Sequence, residues 1–387
     1  MSKHGFEEKA LPFSTYFCPG RVNLIGEHID YNGGFVLPAA ISLGTKLHIR
    51  RRDDAVISIQ STNFDGNYLL WPNEENSYNA QNRWANYAIG CIELLRQKGV
   101  EMHGYDMLFE SDLPIGSGLS SSASVEVVTL FALLSEEKIS TYSKQDIALM
   151  AREVENNFIG VSCGIMDQFA VAMGKENHAI KLNCETLEYE YIPADFGEYT
   201  LVIINTNKPR SLIHSAYNQR LAECQEALAI INKKHNYTNL CSVPLAVAEA
   251  ELTGVLLQRA RHCITEQQRV LTACNALKEG NMGVFRQQLS DSHLSLLNDY
   301  EVTGFELAML WYHSTGMGVT CRMTGAGFGG CAIALVRPEM VEEYKSYITT
   351  HYHAATAQHY IKKGSNQEPL TPTFYECKIV NGVGLQA

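Results

Sequence analysis

The sequence predicts a mixed α+β protein, in which strands come early, helices fill the middle and a pair of strands comes late. Residues 46–50 and 56–60 alternate apolar and polar side chains, which is typical of half-exposed strands. From residue 244 to residue 300 the apolar residues recur at helical spacing, with no internal repeat. Residues 331–336 form a short apolar run behind a glycine-rich turn, which predicts a late strand.

Length, composition and charge limit the classes of function. A chain of 387 residues is long enough for two or three domains with sizeable cores. The net charge of −11 argues against a nucleic-acid-binding face, which would be basic. Eleven cysteines without a Cys-x-x-Cys pair, and a first segment without an apolar signal core, predict reduced thiols in the cytoplasm. No uninterrupted apolar run approaches a membrane span, so we expect no membrane partner.

The first part of the chain should supply further strands and one helix. Apolar residues at 22–25 suggest a short strand that Gly26 ends. Residues 62–82 are polar and contain proline and several asparagines, so we expect a loop there. Residues 84–96 place their apolar side chains on one helical face. On general grounds Trp84, at the start of this helix, is a core residue rather than a ligand-binding one.

The stretch 112–126 predicts an anion site, most often a phosphate site. Gly116 and Gly118 permit backbone angles closed to other residues, and three serines that could each cap a helix precede the apolar run 125–134. A glycine loop entering a helix N-terminus presents unpaired N–H groups to an anion. The stretch lacks the lysine of a Walker loop, and Ser121 replaces the third glycine of a Rossmann fingerprint. The alternative is a serine-glycine loop that merely caps a core helix.

Ionisable side chains gather near the N-terminus. Glu27, His28 and Asp30 follow a glycine, Arg21 lies upstream, and residues 31–34 predict a turn. The alternative is a hairpin with polar residues at its tip. A turn alone does not need so many ionisable groups, which favours a binding role.

Two acidic residues further along are candidates for chemistry. The range 143–157 predicts a helix that Ser143 caps, with Asp146 in its first turn. Glu155 lies at the edge of its apolar stripe, where a glutamate is usually solvated. Asp167 lies in a glycine-interrupted loop before an apolar run, where an aspartate is most often an N-cap.

The second half of the chain adds one strand, several helices and a glycine turn. Residues 201–205 predict a strand and residues 211–233 a helix, in which Tyr217 would by default be half-buried packing. The range 323–331 matches Gly-x-Gly-x-x-Gly. A strand follows where a dinucleotide site needs a helix, so we reject that interpretation. Three late histidines lie in a polar helical segment without convincing zinc spacing.

Three strings carry a family resemblance that covers almost the whole chain. Residues 114–124, Pro-x-Gly-x-Gly-Leu-Ser-Ser-Ser-Ala-Ser, resemble the ATP-binding loop of the GHMP small-molecule kinases. Residues 20–32 resemble the galactokinase signature Gly-Arg-x-Asn-Leu-Ile-Gly-Glu-His-Thr-Asp-Tyr-Asn, with Ile29 in place of the usual threonine. The string Cys-Gly-Ile-Met-Asp-Gln at 163–168 is similar to the base motif of that family.

This resemblance implies an architecture and a reaction. The fold would be the α+β, two-domain GHMP kinase fold. Residues 1–200 would form an N-terminal domain like the second domain of a small-ribosomal-subunit protein, and residues 201–387 a ferredoxin-like C-terminal domain. The implied reaction transfers the γ-phosphoryl group of ATP to the anomeric hydroxyl of α-D-galactose with the help of Mg²⁺. We expect a monomer.

The resemblance also implies a role for each matching residue. The catalytic residues would be Asp167 and Arg21. The sugar would contact Arg21, Glu27, His28, Asp30, Gly164, Asp167 and Tyr217. The nucleotide would contact Gly116, Ser117, Gly118, Leu119, Ser120, Ser121, Ser122, Trp84 and Ser61. Mg²⁺ would be held by Ser122 and Glu155.

Two other functions stay open at this point. The chain could phosphorylate N-acetylgalactosamine or another substrate of GHMP kinases, because pocket size cannot be read from these strings. It could also be a sensor that binds galactose and ATP without turnover. Such relatives lose the Ser-Ala dipeptide of the phosphate loop, whereas Ser122 and Ala123 are present here. This favours an enzyme.

Overall fold

The computed structural model describes residues 12–71, 74–114, 116–161, 163–208, 213–365 and 367–386, without the side chains of 213–215. Its strands are β1 (Ser14–Asn23), β2 (Phe35–Val36), β3 (Pro38–Arg51), β4 (Ile57–Ser61), β5 (Asn67–Leu70), β6 (Tyr105–Ser111), β7 (His178–Asn183), β8 (Tyr189–Pro193), β9 (Thr200–Asn205), β10 (Thr320–Thr324), β11 (Cys331–Val336), β12 (Thr373–Glu376) and β13 (Gly384–Leu385). Its helices are α1 (Ala85–Gln97), α2 (Ser121–Glu136), α3 (Lys144–Glu153), α4 (Met166–Met173), α5 (Ile213–Ile231), α6 (Leu245–Glu251), α7 (Gly254–Lys278), α8 (Met282–Asn298), α9 (Gly304–Gly316) and α10 (Val341–Lys362).

The largest sheet has the strand order β13-β1-β3-β6-β4-β5. Adjacent strands of this sheet are antiparallel, except that β4 and β6 run parallel to each other. Helix α1 lies in the connection between these two strands. Helices α2 and α4 pack on β1 and β3. The register of β1 against β3 shifts between Pro19 and Gly20, because β3 has two extra residues, Ser42 and Leu43, opposite this step. The sheet therefore carries Arg21 next to α2, which follows the glycine loop, and α4, which begins within the base motif.

A second sheet is built from the second half of the chain. It has four antiparallel strands in the order β10-β11-β9-β12, with helices between β9 and β10 and between β11 and β12. This order is that of a ferredoxin-like β-α-β-β-α-β unit. A third sheet, β2-β7-β8, is small.

The apolar interior has two clusters, and β1 contributes to both. One cluster contains Val22 with β9, β11 and much of α7. The other contains Cys18 with apolar residues of α1, α2 and α3. Every residue of β11 is buried, which explains why its sequence is continuously apolar rather than alternating. Because β1 lies between the two clusters, residues that follow it reach the space between the two large sheets.

The mixed α+β prediction is confirmed, and most local predictions hold. The short strand suggested at 22–25 has wrong bounds, because β1 spans Ser14–Asn23 and ends before Gly26. The helix predicted at 143–157 begins with the expected capping box of Ser143 and Asp146. The predicted loop at 62–82 is wrong in part, because β5 lies within it and pairs with β4. This strand is at the sheet edge and leaves Leu69 52% exposed, so the sequence shows no buried run there.

The boundary predicted near residue 200 stays a prediction. Strand β9 begins at Thr200, and the chain returns to the first sheet at its end, where β13 pairs with β1. No helix among the described residues has the length and apolar character needed to span a bilayer.

Candidate active site

The loop before α2 is held against β1 by its carbonyl groups. The Arg21 backbone N–H donates to the Leu119 carbonyl at 3.2 Å, and Arg21 Nη1 donates to the Gly118 carbonyl at 2.6 Å. Ser120 has the N-cap position of α2 in a left-handed conformation, with φ 64°. The prediction that its side chain caps the helix is wrong, because that hydroxyl makes no capping bond and turns to Asp167. The first N–H groups of α2 are thus left to another acceptor.

Arg21 and Asp167 form a paired charge at the cavity wall. Arg21 Nη2 lies 2.6 Å from each oxygen of the Asp167 carboxylate, and Nε donates to Oδ1 at 2.9 Å. The Ser120 hydroxyl donates to Oδ2 at 2.7 Å. Asp167 is the second residue of α4, so the start of that helix also faces it with positive N–H ends. Its side chain is 33% exposed and is therefore accessible to a substrate.

A second carboxylate, Glu155, lies beside the start of α2. It belongs to a π-helical turn, Val154–Ile159, which follows α3 directly. The Ser122 hydroxyl donates to Glu155 Oε1 at 3.2 Å, and the Gln168 amide donates to Oε2 at 2.6 Å. Burial, with the negative charge of Asp167, raises the pKa of Glu155 to about 6. A cation at this place would favour the ionised form.

The donor set around Glu155 fits a hard divalent cation. Among the residues that the structure describes, no group of three or more His, Cys, Asp or Glu side chains is arranged for a metal. Mg²⁺ does not require one, because it is commonly held by one or two protein oxygens together with phosphates and waters. Ser122 and Glu155 offer those protein oxygens at the positive end of α2.

Glu126 is a buried carboxyl group whose role the sequence analysis did not address. It follows Ser122 by one turn of α2, its side chain is 0% exposed, and neither carboxyl oxygen has a hydrogen-bond partner. Burial and the nearby charge of Glu155 raise the pKa of Glu126 well above its usual range. Its environment therefore favours the protonated form more than that of an ordinary glutamate does.

Glu27 is fixed by the second large sheet. Its side chain is 2% exposed, and its carboxylate pairs with the guanidinium of Arg322 on β10. The other oxygen accepts from the Gly325 backbone N–H at 3.2 Å. Arg322 also donates to Ser292 at 2.9 Å and to the Leu24 carbonyl at 3.0 Å. A buried arginine whose two terminal nitrogens are both held by acceptors fixes the position of Glu27 at the cavity wall.

The remaining sugar-site candidates meet around the same cavity. His28 Nδ1 lies 2.8 Å from the Tyr31 hydroxyl and Nε2 lies 3.1 Å from the Ala326 carbonyl. A Cβ on Gly164 would come within 2.7 Å of Asp30 Oδ2, so only glycine permits this approach. The Tyr217 ring packs 5.8 Å from that of His28. The structure thus brings all seven sequence-predicted sugar-site residues to one cavity of about 300 Å³, lined by Arg21, Glu27, His28, Asp30, Gly164, Asp167 and Tyr217 together with Glu155.

A second, more apolar cavity of about 190 Å³ lies on the other side of the α2 start. Its lining includes Ser61, Trp84, Ser121 and Ser122. Phe64 joins them and stacks on Trp84 with ring centroids 5.9 Å apart. The half-buried Trp84 therefore packs in the interior and also faces a cavity. Because Ser122 lines this cavity and bonds to Glu155 of the other one, the two cavities meet at this pair.

Comparisons with known proteins agree with this geometry. The model of the GHMP kinases N-terminal domain matches residues 86–175, and that of the galactokinase galactose-binding signature matches residues 4–51. A galactokinase of Clostridium perfringens (strain SM101 / Type A) is 43% identical over 343 residues, which cover 86% of this chain and 88% of that protein. A galactokinase of Exiguobacterium sibiricum is 44% identical over 359 residues, covering 90% and 91%. The chain belongs to the galactokinase family.

Solved structures support the same assignment. Lactococcus lactis galactokinase complexed with galactose matches with a TM-score of 0.86 and 37% identity, covering 97% of this chain and 95% of that one. The mevalonate kinase of Methanococcus jannaschii matches with a TM-score of 0.68 at 18% identity, a likeness of fold alone. The GHMP kinase fold, and a kinase of the galactokinase family with ATP as co-substrate, are confirmed. The roles given to single residues stay predictions.

In this galactokinase-family chain, sequence reasoning missed several residues of the site. Gln168 directly follows Asp167 in the base motif, and Tyr31 lies inside the sugar signature, so both were within recognised strings. Arg322 interrupts an otherwise uncharged strand before the late glycine turn, which was a usable signal for a buried partner. Phe64 lies in the segment taken for a loop and gave no signal.

Proposed function

We propose that this chain transfers the γ-phosphoryl group of ATP to the anomeric hydroxyl of α-D-galactose, giving galactose 1-phosphate and ADP. The observation that carries the proposal is the meeting of the two cavities at Ser122 and Glu155. One cavity is apolar and aromatic and suits a nucleotide base. The other is lined by carboxylates and suits a polyhydroxylated substrate. The phosphates would pass over the start of α2 between them.

Asp167 would orient the attacking sugar hydroxyl and accept its proton. Its carboxylate is exposed to the cavity and its geometry is set by Arg21 and Ser120. Phosphoryl transfer asks the protein mainly for positioning and charge stabilisation, which such a fixed group supplies. Arg21 would balance the charge of Asp167 and offset negative charge on the transferring group.

Ser122 and Glu155 would hold Mg²⁺ at the junction of the cavities. When bound there, Mg²⁺ would neutralise part of the negative charge of the phosphates. Gln168 would keep Glu155 turned towards the junction, since its amide donates to Oε2 at 2.6 Å. The backbone N–H groups from Gly116 to Ser122 would cradle the phosphates.

The sugar would be held mainly by carboxylates. Glu27 and Asp30 present acceptor oxygens, and one carboxylate can accept from two neighbouring hydroxyls. Tyr217 and Gly164 would complete the wall. We also infer a monomer in the cytoplasm, a reducing compartment that suits the eleven free cysteines.

The direct test is an ADP-release assay with galactose, glucose, N-acetylgalactosamine, homoserine and mevalonate as acceptors. Galactose should give the highest kcat/KM. Preference for N-acetylgalactosamine or a non-sugar acceptor would replace the proposed substrate. Binding of galactose and ATP without ADP release would indicate a sensor and would contradict the enzyme.

A further inference from the structure

A chain of hydroxyl and thiol groups runs behind His28, away from the cavity. The Tyr31 hydroxyl lies 2.8 Å from His28 Nδ1 and 2.9 Å from the Tyr300 hydroxyl. The Tyr300 hydroxyl lies 3.0 Å from Cys224 Sγ, which in turn lies 4.0 Å from Cys263 Sγ. Tyr300, Cys224 and Cys263 are buried, and the groups come from four different segments of the chain.

The direction of every hydrogen bond in this chain follows from one carbonyl. The Ala326 carbonyl can only accept, so His28 Nε2 carries a proton and donates to it at 3.1 Å. In a neutral ring Nδ1 is then an acceptor, and the Tyr31 hydroxyl must donate to it. Since each hydroxyl has one hydrogen, Tyr300 donates to Tyr31 and the Cys224 thiol donates to Tyr300.

The surroundings of His28 favour the neutral ring. His28 is buried, and its charged neighbours include Arg220 and Glu266, while His262 also packs nearby. Burial, followed by the proximity of His262, lowers the pKa of His28 to about 3. Protonation would also place an N–H on Nδ1 against the Tyr31 hydroxyl and reverse the whole chain.

We propose that Tyr31 is a positioning residue that holds His28 in the Nε2–H tautomer, so that His28 offers the sugar a hydrogen-bond donor and no acceptor. This inference rests on the proposed function for its substrate. Glu27, Asp30 and Asp167 are acceptors for sugar hydroxyl hydrogens. His28 Nε2–H faces the cavity beside the Ala326 carbonyl and would complement them by sharing its hydrogen, in a three-centre bond, between that carbonyl and a sugar oxygen.

The tautomer can be read directly by ¹⁵N NMR of histidine-labelled, sugar-free protein, because protonated and unprotonated ring nitrogens have well-separated shifts. The His28 signals are assigned by their loss in His28→Gln. We expect protonated Nε2, unprotonated Nδ1 and no change across neutral pH. Addition of galactose should move the Nε2–H resonance and leave the tautomer unchanged. An Nδ1–H tautomer, or a ring that becomes doubly protonated with sugar, would overturn the proposal.

The role of Tyr31 is tested by comparing two variants that each remove one buried hydroxyl. Tyr31→Phe leaves Nδ1 without a donor, so galactose KM should rise roughly tenfold while ATP KM stays within about twofold. Tyr300→Phe leaves the Tyr31 donor in place and should raise galactose KM clearly less. An equal or larger rise in Tyr300→Phe, or an unchanged galactose KM in a folded Tyr31→Phe, would contradict the proposal.

A negative result for the hydrogen-bond chain can be distinguished from a negative result for the proposed function. The tautomer is measured without any sugar, so it tests the hydrogen-bond chain even if the preferred substrate in the ADP-release assay proves to be another sugar. If Tyr31→Phe does not fold, the NMR result on the unaltered protein decides alone.

Discussion

The guanidinium of Arg21 binds the carboxylate of Asp167 from one side, and its Nη2 lies 2.6 Å from both carboxylate oxygens. The arginine side chain is 5% exposed whereas the aspartate side chain is 33% exposed. In this pair the arginine is therefore buried, whereas the aspartate is open to the cavity. The register irregularity between β1 and β3 lies directly before Arg21, and the arginine side chain bonds to Asp167 in the first turn of α4.

The first prediction concerns this pair. Asp167→Asn removes the charge that faces Arg21 and the oxygen that would accept the sugar proton. We expect kcat to fall by about 100-fold or more while ATP affinity changes little, since the cavity proposed for the nucleotide does not contain Asp167. Steady-state kinetics and calorimetric ATP binding measure the two effects. Asp53→Asn, at an exposed bend, is the matched control and should behave as the unaltered protein. Near-normal turnover in Asp167→Asn would remove Asp167 from the reaction.

The second prediction concerns the metal requirement. The pKa of Glu155 is about 6, because the group is buried and lies near Asp167, so a proton competes with the cation below that pH. Glu155→Ala should shift the Mg²⁺ dependence of activity to roughly tenfold higher concentrations or more. In the unaltered protein the Mg²⁺ requirement should rise as pH falls through about 6. Mg²⁺ titrations of both proteins measure this. Superimposable curves would count against Glu155 as a ligand.

The third prediction concerns Glu126. Its pKa is raised well above the ordinary value by burial and by Glu155, so the folded state keeps a proton that the unfolded state releases as pH rises. Glu126 therefore lowers the free energy of unfolding as pH increases. Glu126→Gln does not titrate, so its Tm relative to the unaltered protein should increase as pH rises above about 4.5, the ordinary pKa of a glutamate. Glu126→Ala should lower Tm at every pH, because it leaves a cavity.

Thermal unfolding in metal-free buffer gives these values for both variants. A Glu126→Gln protein that loses stability relative to the unaltered chain as pH rises would show an ionised Glu126. That outcome would require a cation or another partner beside α2 in solution.

Short sequence motifs were sufficient to predict many residues of the candidate site. The motifs at 114–124 and 20–32 are each one continuous stretch of sequence, so their residues are close together along the chain. Ser143 and Asp146 formed the expected capping box for the same reason. A short-range pattern is enough when the interaction that it describes is itself short-range.

The missing parts depend on long-range pairing. Glu27 and its partner Arg322 are 295 residues apart, and only the approach of β10 to the residues after β1 joins them. Tyr31 and Tyr300 are 269 residues apart. Strand β5 was missed because it lies at an edge and its exposed side chains show no burial pattern. Such contacts are set by tertiary packing, which one sequence does not display.

The last prediction concerns the choice between sugars. Galactose and glucose differ only in the orientation of the 4-hydroxyl group, and the family resemblance assigns the contact with that group to Asp30. Burial and the charge of Asp167 raise the pKa of Asp30 to about 6, so it is an ionised acceptor at neutral pH. A buried acceptor that loses its partner costs about 1–3 kcal/mol, which is roughly ten- to several-hundredfold in kcat/KM.

Asp30→Ala should therefore lower kcat/KM for galactose and narrow its advantage over glucose. The competing role is local, because Asp30 begins the short helical turn Asp30–Asn32 and could simply cap it. A cap would lower Tm without sugar and leave the galactose-to-glucose ratio alone. Asp30→Asn distinguishes a sugar ligand from a helix cap. The asparagine amide can still accept a capping hydrogen bond, but it is uncharged and so resembles a protonated aspartate. Its galactose KM should be high and independent of pH near 6, whereas that of the unaltered protein should rise as pH falls through about 6. An unchanged sugar ratio in well-folded Asp30→Ala protein would show that Asp30 does not contact the sugar.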